Sequence, residues 1–144
     1  MEGAKVSTRV AVRSDEIDPA ALLAEVGRPS AGAVVLFLGT ARDHSPGKPV
    51  ITELEYEAYP EMVEGKLAEI VAEAGARWHL EAVVVEHRVG VVTLGTPSVA
   101  VAVAAAHREE AFAAGRFLID ELKSRVPIWK KEHWPGGGEW VKGA

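Results

Sequence analysis

The alternation of apolar and polar residues along the chain predicts seven strands and three helices in the order β-α-β-β-α-β-β-α-β-β. "KVSTRVAV" sets Val6, Thr8, Val10 and Val12 on one face, the two-residue period of a half-buried strand. "DPAALLAEVG" carries helix punctuation, with Asp18 at the N-cap, Pro19 in the first turn and Gly27 just past the end. Residues 33–39, "AVVLFLG", are continuously apolar and stop at glycine, which predicts a buried central strand before the polar loop "TARDHSPGKP". Residues 50–58 alternate, with Val50, Thr52, Leu54 and Tyr56 inward and Glu53, Glu55 and Glu57 outward. "PEMVEGKLAEIVAEAG" places Val63, Leu67, Ile70 and Ala74 at helical spacing, with Gly75 as its C-cap. "EAVVVEHRVG" and "SVAVAVAAA" read as two strands joined by a turn around "LGTP". The longest helix is "HREEAFAAGRFLIDELKSRV", striped by Ala111, Gly115, Leu118 and Leu122 and stopped by Pro127; "IWKKEHW" and "EWV" then form a hairpin around "PGGG". Paired strands between helices favour an α+β fold, a mixed or antiparallel sheet with helices packed on it, plus a small extra β subdomain from the C-terminal hairpin.

Totals narrow the function classes. A chain of 144 residues suffices for one domain, 1–144, with its own core. The longest apolar runs, "AVVLFL" and "VAVAVAAA", are too short to span a bilayer, and "MEGAKVSTRV" lacks the pattern of a signal peptide. A cytoplasmic address with no membrane partner is expected. The chain has no cysteine, which excludes disulfides, zinc–thiolate sites, iron–sulfur clusters and a cysteine nucleophile. Any sulfur chemistry must therefore use sulfur brought in on another molecule. A formal net charge of -5 argues against general nucleic-acid binding. A small basic cluster on an acidic body fits a pocket for a compact anion such as a phosphate.

That cluster is "ELKSRVPIWKKEHW", residues 121–134, in which Lys123, Arg125, Lys130 and Lys131 occur without an acid between Leu122 and Lys131. Lys123 falls in the last turn of the third helix, and Lys130 follows seven residues on, beyond Pro127. Cations at a helix C-terminus complement the dipole, which by itself would account for Lys123. Pro127 and Trp129 stiffen the connection, however, and Ile128 anchors it in the core. A lysine held near other cations loses proton affinity, which suits it to proton transfer or to attack on a carbonyl. His107 and Arg108 stand where a buried strand passes into the N-terminus of that helix, whose free N–H groups favour an anion that arginine would clamp. The plainer alternative is that Glu109 and Glu110 serve the helix start while Arg108 sits in solvent. Arg42 lies in "GTARDH", a loop after a buried strand, and reads either as a site residue or as plain surface. His87 and Arg88 in "EHRVG" lie mid-sheet and read as structural sooner than as site residues. The five histidines show no metal-ligand spacing, and there is no glycine-rich nucleotide loop or nucleophilic serine motif, so no metal or cofactor is expected.

"FLGTARDH", "LEYEAYPEM", "HRVG", "VAVAAAHREEAF" and above all "IDELKSRVPIWKKE" resemble the molybdopterin synthase catalytic (large) subunit family over about residues 30 to 141. Ala41, where a valine is common, and Thr96, where the turn often has an acid, depart mildly from the pattern. The resemblance implies a hammerhead-like α/β arrangement and a two-component sulfurtransferase. Its substrate would be cyclic pyranopterin monophosphate, which receives two sulfurs to give the dithiolene of molybdopterin. The donor would be a small ubiquitin-like sulfur carrier whose C-terminal Gly-Gly ends in a thiocarboxylate. On the family pattern Lys123 and Lys130 are the essential lysines, and Thr40, Ala41, Arg42, His107, Arg108, Lys131 and Glu132 match substrate-contacting positions. The family's assembly is a homodimer with a carrier at each end, a heterotetramer whose pocket borrows residues across the dimer interface. Two other classes stand beside this one. A non-catalytic regulatory module that binds an anion or pterin would explain the cations equally well, and single-stranded RNA binding through Trp129 and Trp134 is disfavoured by the acidic total.

Overall fold

The computed structural model describes residues 6–48 and 50–143; Lys5, read above as the start of the first strand, and Pro49 of the polar loop lie outside them. The elements run β1 (Ser7–Arg13), α1 (Pro19–Val26), β2 (Ala33–Thr40), β3 (Glu53–Glu57), α2 (Pro60–Arg77), β4 (Ala82–Arg88), β5 (Gly90–Val92), β6 (Pro97–Ala105), α3 (Arg108–Arg125), β7 (Trp129–Trp134) and β8 (Gly137–Lys142). They form two four-stranded sheets, β1-β4-β6-β2 and β5-β3-β7-β8, an α+β architecture as the pattern implied.

In the first sheet β1 runs parallel to β4, while β4–β6 and β6–β2 are antiparallel. Its central strands β4 and β6 are buried on both faces because helices cover both. On one face Val83, Val85, Val99, Val101 and Val103 pack against Val63, Leu67 and Ile70 of α2 and Leu118 and Leu122 of α3. On the other, Val84, Ala100 and Ala102 pack against Leu22 and Val26 of α1. Helix punctuation behaves as its chemistry dictates. The Asp18 carboxylate accepts from the N–H groups of Ala20 and Ala21, which satisfies the donors that a helix start leaves open.

Five sequence readings are corrected. Residues 33–39 do not form a buried central strand: β2 lies at an edge of the first sheet, with Val34 and Phe37 exposed. Gly75 does not cap α2, which continues to Arg77 with Trp78 at the C-cap. Val50 and Thr52 face outward, Val50 with 52% exposure, and Ile51 is buried instead. The strand proper begins only at Glu53, and ahead of it the Thr52 N–H donates to the His133 carbonyl, so the alternation is offset there. "HRVG" does not end one long strand. The chain leaves the first sheet after Arg88, turns at Gly90 (φ 87°), and pairs Gly90–Val92 with β3 in the second sheet. Positive φ is cheap only for glycine, which is why the crossing falls there. The C-terminal hairpin, finally, is half of a four-stranded sheet that also holds β3 and β5. Among the described residues no helix is long and apolar enough to cross a membrane.

Candidate active site

A cavity of about 320 Å³ lies between the two sheets at the C-terminal end of α3. One wall is the end of β2. There the pairing with β6 slips between Gly39 and Thr40, a bulge that turns the chain and brings Thr40 and then Arg42 to the cavity. Gly39 is required at this corner, because a β-carbon would meet a Val99 methyl at 2.5 Å. The opposite wall is β3 paired with β7 in the register Tyr56↔Lys130, Glu55↔Lys131, Leu54↔Glu132. Side chains alternate along a strand, so Lys130 and Glu132 share the cavity face with Tyr56 and Leu54. Lys123 closes the site from the last turn of α3.

Of the nine residues expected in the site, the cavity collects Thr40, Arg42, Lys123, Lys130 and Glu132. Ala41 is buried, and its backbone works as scaffold: its N–H donates to Thr96 O at 3.0 Å and its carbonyl accepts from Gly95 at 2.7 Å. Lys131 lies on the other face of β7, its ammonium 5.8 Å from the Trp140 ring centroid. His107 and Arg108 are exposed at the far end of α3. At about 1.5 Å rise per residue they stand roughly 24 Å along the axis from Lys123, outside this chain's cavity.

The electrostatics are unequal. Glu132 is 4% exposed, and Lys48 donates to its carboxylate at 2.9 Å while pairing Glu139 at 2.7 Å. Burial pushes the Glu132 carboxyl upward, but Lys48, with help from Lys130, outweighs it and holds the group below its ordinary value. Lys123 stays open to solvent at the cavity mouth. Partial desolvation, followed by the like charges of Lys130 and Arg42, nevertheless depresses its proton affinity. Burial raises the Tyr56 hydroxyl's pKa against a hydrogen bond with Ser98 that lowers it. The cavity thus offers three converging cations, one of them a lysine of lowered proton affinity, and a carboxylate neutralised from outside by Lys48. Tyr56, Ser98 and Lys48 were missed in the sequence; the β3 alternation already turned Tyr56 inward, but nothing local marked the other two. A larger groove of about 540 Å³, lined by Tyr59, Met62, Trp129 and Trp140, is apolar with Glu57 as its one charged lining residue. Among the described residues no group of three or more His, Asp or Glu could hold a metal ion.

Residues 12–125 match the family model of the MoaE protein. The chain is 43% identical over 136 residues to a molybdopterin synthase catalytic subunit of Thermoplasma volcanium, covering 94% of this chain and 98% of that protein. It is 50% identical over 111 residues to the Salmonella typhimurium protein of the same name, covering 77% and 73%. The crystal structure of molybdopterin synthase from Staphylococcus aureus superposes with a TM-score of 0.85 at 34% identity, over 91% of this chain and 95% of that one. A complex of subunits 1 and 2 of the molybdopterin-converting factor from Helicobacter pylori shares the fold, with a TM-score of 0.76 at 19% identity over 92% and 89%. With the motifs, the two-sheet fold and the lysine-lined cavity in agreement, the chain belongs to the MoaE family, the catalytic subunits of molybdopterin synthase.

Proposed function

We propose that the chain, acting as a single domain in the cytoplasm, places two sulfurs into cyclic pyranopterin monophosphate. The sulfurs come from the thiocarboxylated C-terminus of a small ubiquitin-like carrier. The observation that carries this reading is Lys123, whose proton affinity is depressed beside Lys130 and Arg42 in a cavity sized for a small molecule. Lys123 serves as proton shuttle or amine nucleophile, and Lys130 neutralises the thiocarboxylate and the oxyanions that develop from it. Thr40 and Arg42 hold the substrate, and Glu132, fixed by Lys48, orients Lys130. The absence of cysteine supports an external sulfur source. His107 and Arg108, a helix length from Lys123, serve the cavity of a second copy, and the family's homodimer brings them there. The unpaired edge of β2 fits such a pairing, because eight apolar or neutral residues, "AVVLFLGT", lack the charges that normally blunt an edge.

The test is mass spectrometry of the product after mixing the chain, the thiocarboxylated carrier and the cyclic phosphate. A two-sulfur product is expected only from the full mixture. Product formed from substrate and a thiol reductant without the carrier overturns the reading, and tight binding with no product favours the anion-binding module. Arg108→Ala should weaken substrate binding about tenfold to a hundredfold, the loss of one charge-assisted contact. Calorimetry showing unchanged affinity would return Arg108 to the helix start alone.

A further inference from the structure

His87 is 1% exposed in β4, on the face that Val83 and Val85 present to α2 and α3. Its Nδ1 lies 2.7 Å from the carbonyl oxygen of Arg88. A carbonyl only accepts, so Nδ1 carries the proton, and the neutral ring keeps a bare lone pair on Nε2. That Nε2 is buried without a hydrogen-bond partner. An open buried acceptor is costly and rare in a native structure. What surrounds the ring explains it. Tyr56 meets it edge-on, with centroids 5.1 Å apart, and Tyr56 lines the cavity with Lys123. Lys123 is close enough for its charge to act on the imidazole, adding to the burial that keeps the ring neutral. Lys123 from α3 and Tyr56 from β3 are the titratable side chains that bear on it.

We propose that His87 is a positioning residue for Lys123: its buried Nε2 accepts a hydrogen from the Lys123 amine and so turns the amine lone pair into the cavity. The proposal rests on the sulfur-transfer reading, in which Lys123 works through that lone pair. An acceptor that cannot donate must take one of the amine's N–H groups, whichever protonation state the lysine is in. A carboxylate in the same place would also accept, but its charge would raise the lysine's proton affinity and cancel the effect of Lys130 and Arg42. A neutral imidazole orients the amine and, carrying no charge, holds its proton less tightly than a carboxylate would. The bond is not made in this structure. Rotation of the four-carbon lysine stem supplies the travel, and hydrogen bonds of this kind tighten when substrate is bound.

The experiment compares wild type, His87→Leu and His87→Gln, each with and without Lys123→Ala, in product formation with the thiocarboxylated carrier. His87→Leu should lower kcat about tenfold, the weight of one hydrogen bond to a charged group, with KM for the cyclic phosphate within about twofold. His87→Gln, whose side-chain carbonyl can stand where Nε2 stood, should recover most of the rate, and His87→Leu should cost nothing further in the Lys123→Ala background. An unchanged kcat in His87→Leu, a change in KM alone, or an equal loss without Lys123 overturns the proposal. If His87→Leu fails to fold, a well-folded His87→Gln with kcat near wild type supports it and one with low kcat overturns it. If wild type makes no product, the sulfur-transfer reading fails first. The positioning claim is then decided by acetic anhydride labelling of Lys123, followed by mass spectrometry in wild type and His87→Gln alongside His87→Leu. Faster labelling in His87→Leu alone supports it, because the ammonium has lost an acceptor, and equal rates in all three overturn it.

Discussion

Lys123→Ala and Lys123→Arg should both lower product formation by at least about a hundredfold, the scale of a lost acid–base group, while both proteins melt near wild type. A lysine that only complemented the helix dipole would give the opposite pattern: about 0.3–1 kcal/mol of stability lost in the alanine variant, little change in activity, and a silent arginine variant. Arginine keeps the charge but does not deprotonate in the working pH range, so it separates the two roles. Stability should barely move because two effects oppose each other. The folded-state pKa of Lys123 lies below its ordinary value, so the unfolded chain holds that proton more tightly and the charge works against folding at neutral pH. Alanine loses the dipole contact but relieves that penalty. Lys130→Arg should keep part of the activity, since neutralising charge is the larger part of its work. Single-turnover assays with the thiocarboxylated carrier, paired with calorimetric melts, check the set; an active Lys123→Arg enzyme would leave Lys123 as a binding residue only.

Acidification should destabilise the protein before its ion pairs are affected. His87 has an ordinary pKa of 6.5 and is lowered in the fold to about 4, chiefly by burial, against the bond to Arg88 O and with a contribution from Lys123. The sign follows from proton counts. Between those two values the unfolded imidazole is protonated and the folded one is not, so stability falls as pH drops through 6.5 and has lost its full share near 4. At about 1.4 kcal/mol per unit the loss is on the order of 3 kcal/mol. Glu25 and Glu73, bonded to Arg9 and Arg125, lie below their ordinary value of 4.5, so their contribution is lost only at lower pH. Urea unfolding from pH 7 to 4 in wild type and His87→Leu measures the difference. A wild-type curve that stays flat between pH 6.5 and 5 contradicts the burial of a neutral ring.

Local chemistry was legible in the sequence at most places where its cause was local, Gly75 inside α2 being the exception. Asp18, Gly27 and Pro127 act within a turn of where they stand, and the helix ends fell accordingly. Lys123 and Lys130 could be singled out because a helix end and a strand seven residues later lie within one short stretch. The same strand period sets Lys131 on the opposite face from Lys130, where it lies against Trp140. The switch of Gly90–Val92 between sheets was not legible, since three residues carry no period and only φ at Gly90 marks the crossing. Nor was the pairing of Lys48 with Glu132, 84 residues apart, which exists only through the fold. From the sequence His87 reads as structural sooner than as a site residue, because a buried histidine in a strand ordinarily is; the open Nε2 is visible only in three dimensions.

The register of the second sheet has a consequence in time. Until β7 is made, β3 has only the three-residue β5 as a neighbour, and Lys48 has neither of its carboxylates. The first sheet and the three helices lie wholly within residues up to 125, yet without β7 the cavity lacks the wall that carries Lys130 and Glu132. The lysine pair therefore faces one cavity only once β7 has paired with β3, and a chain short of β7 cannot hold substrate against half a site.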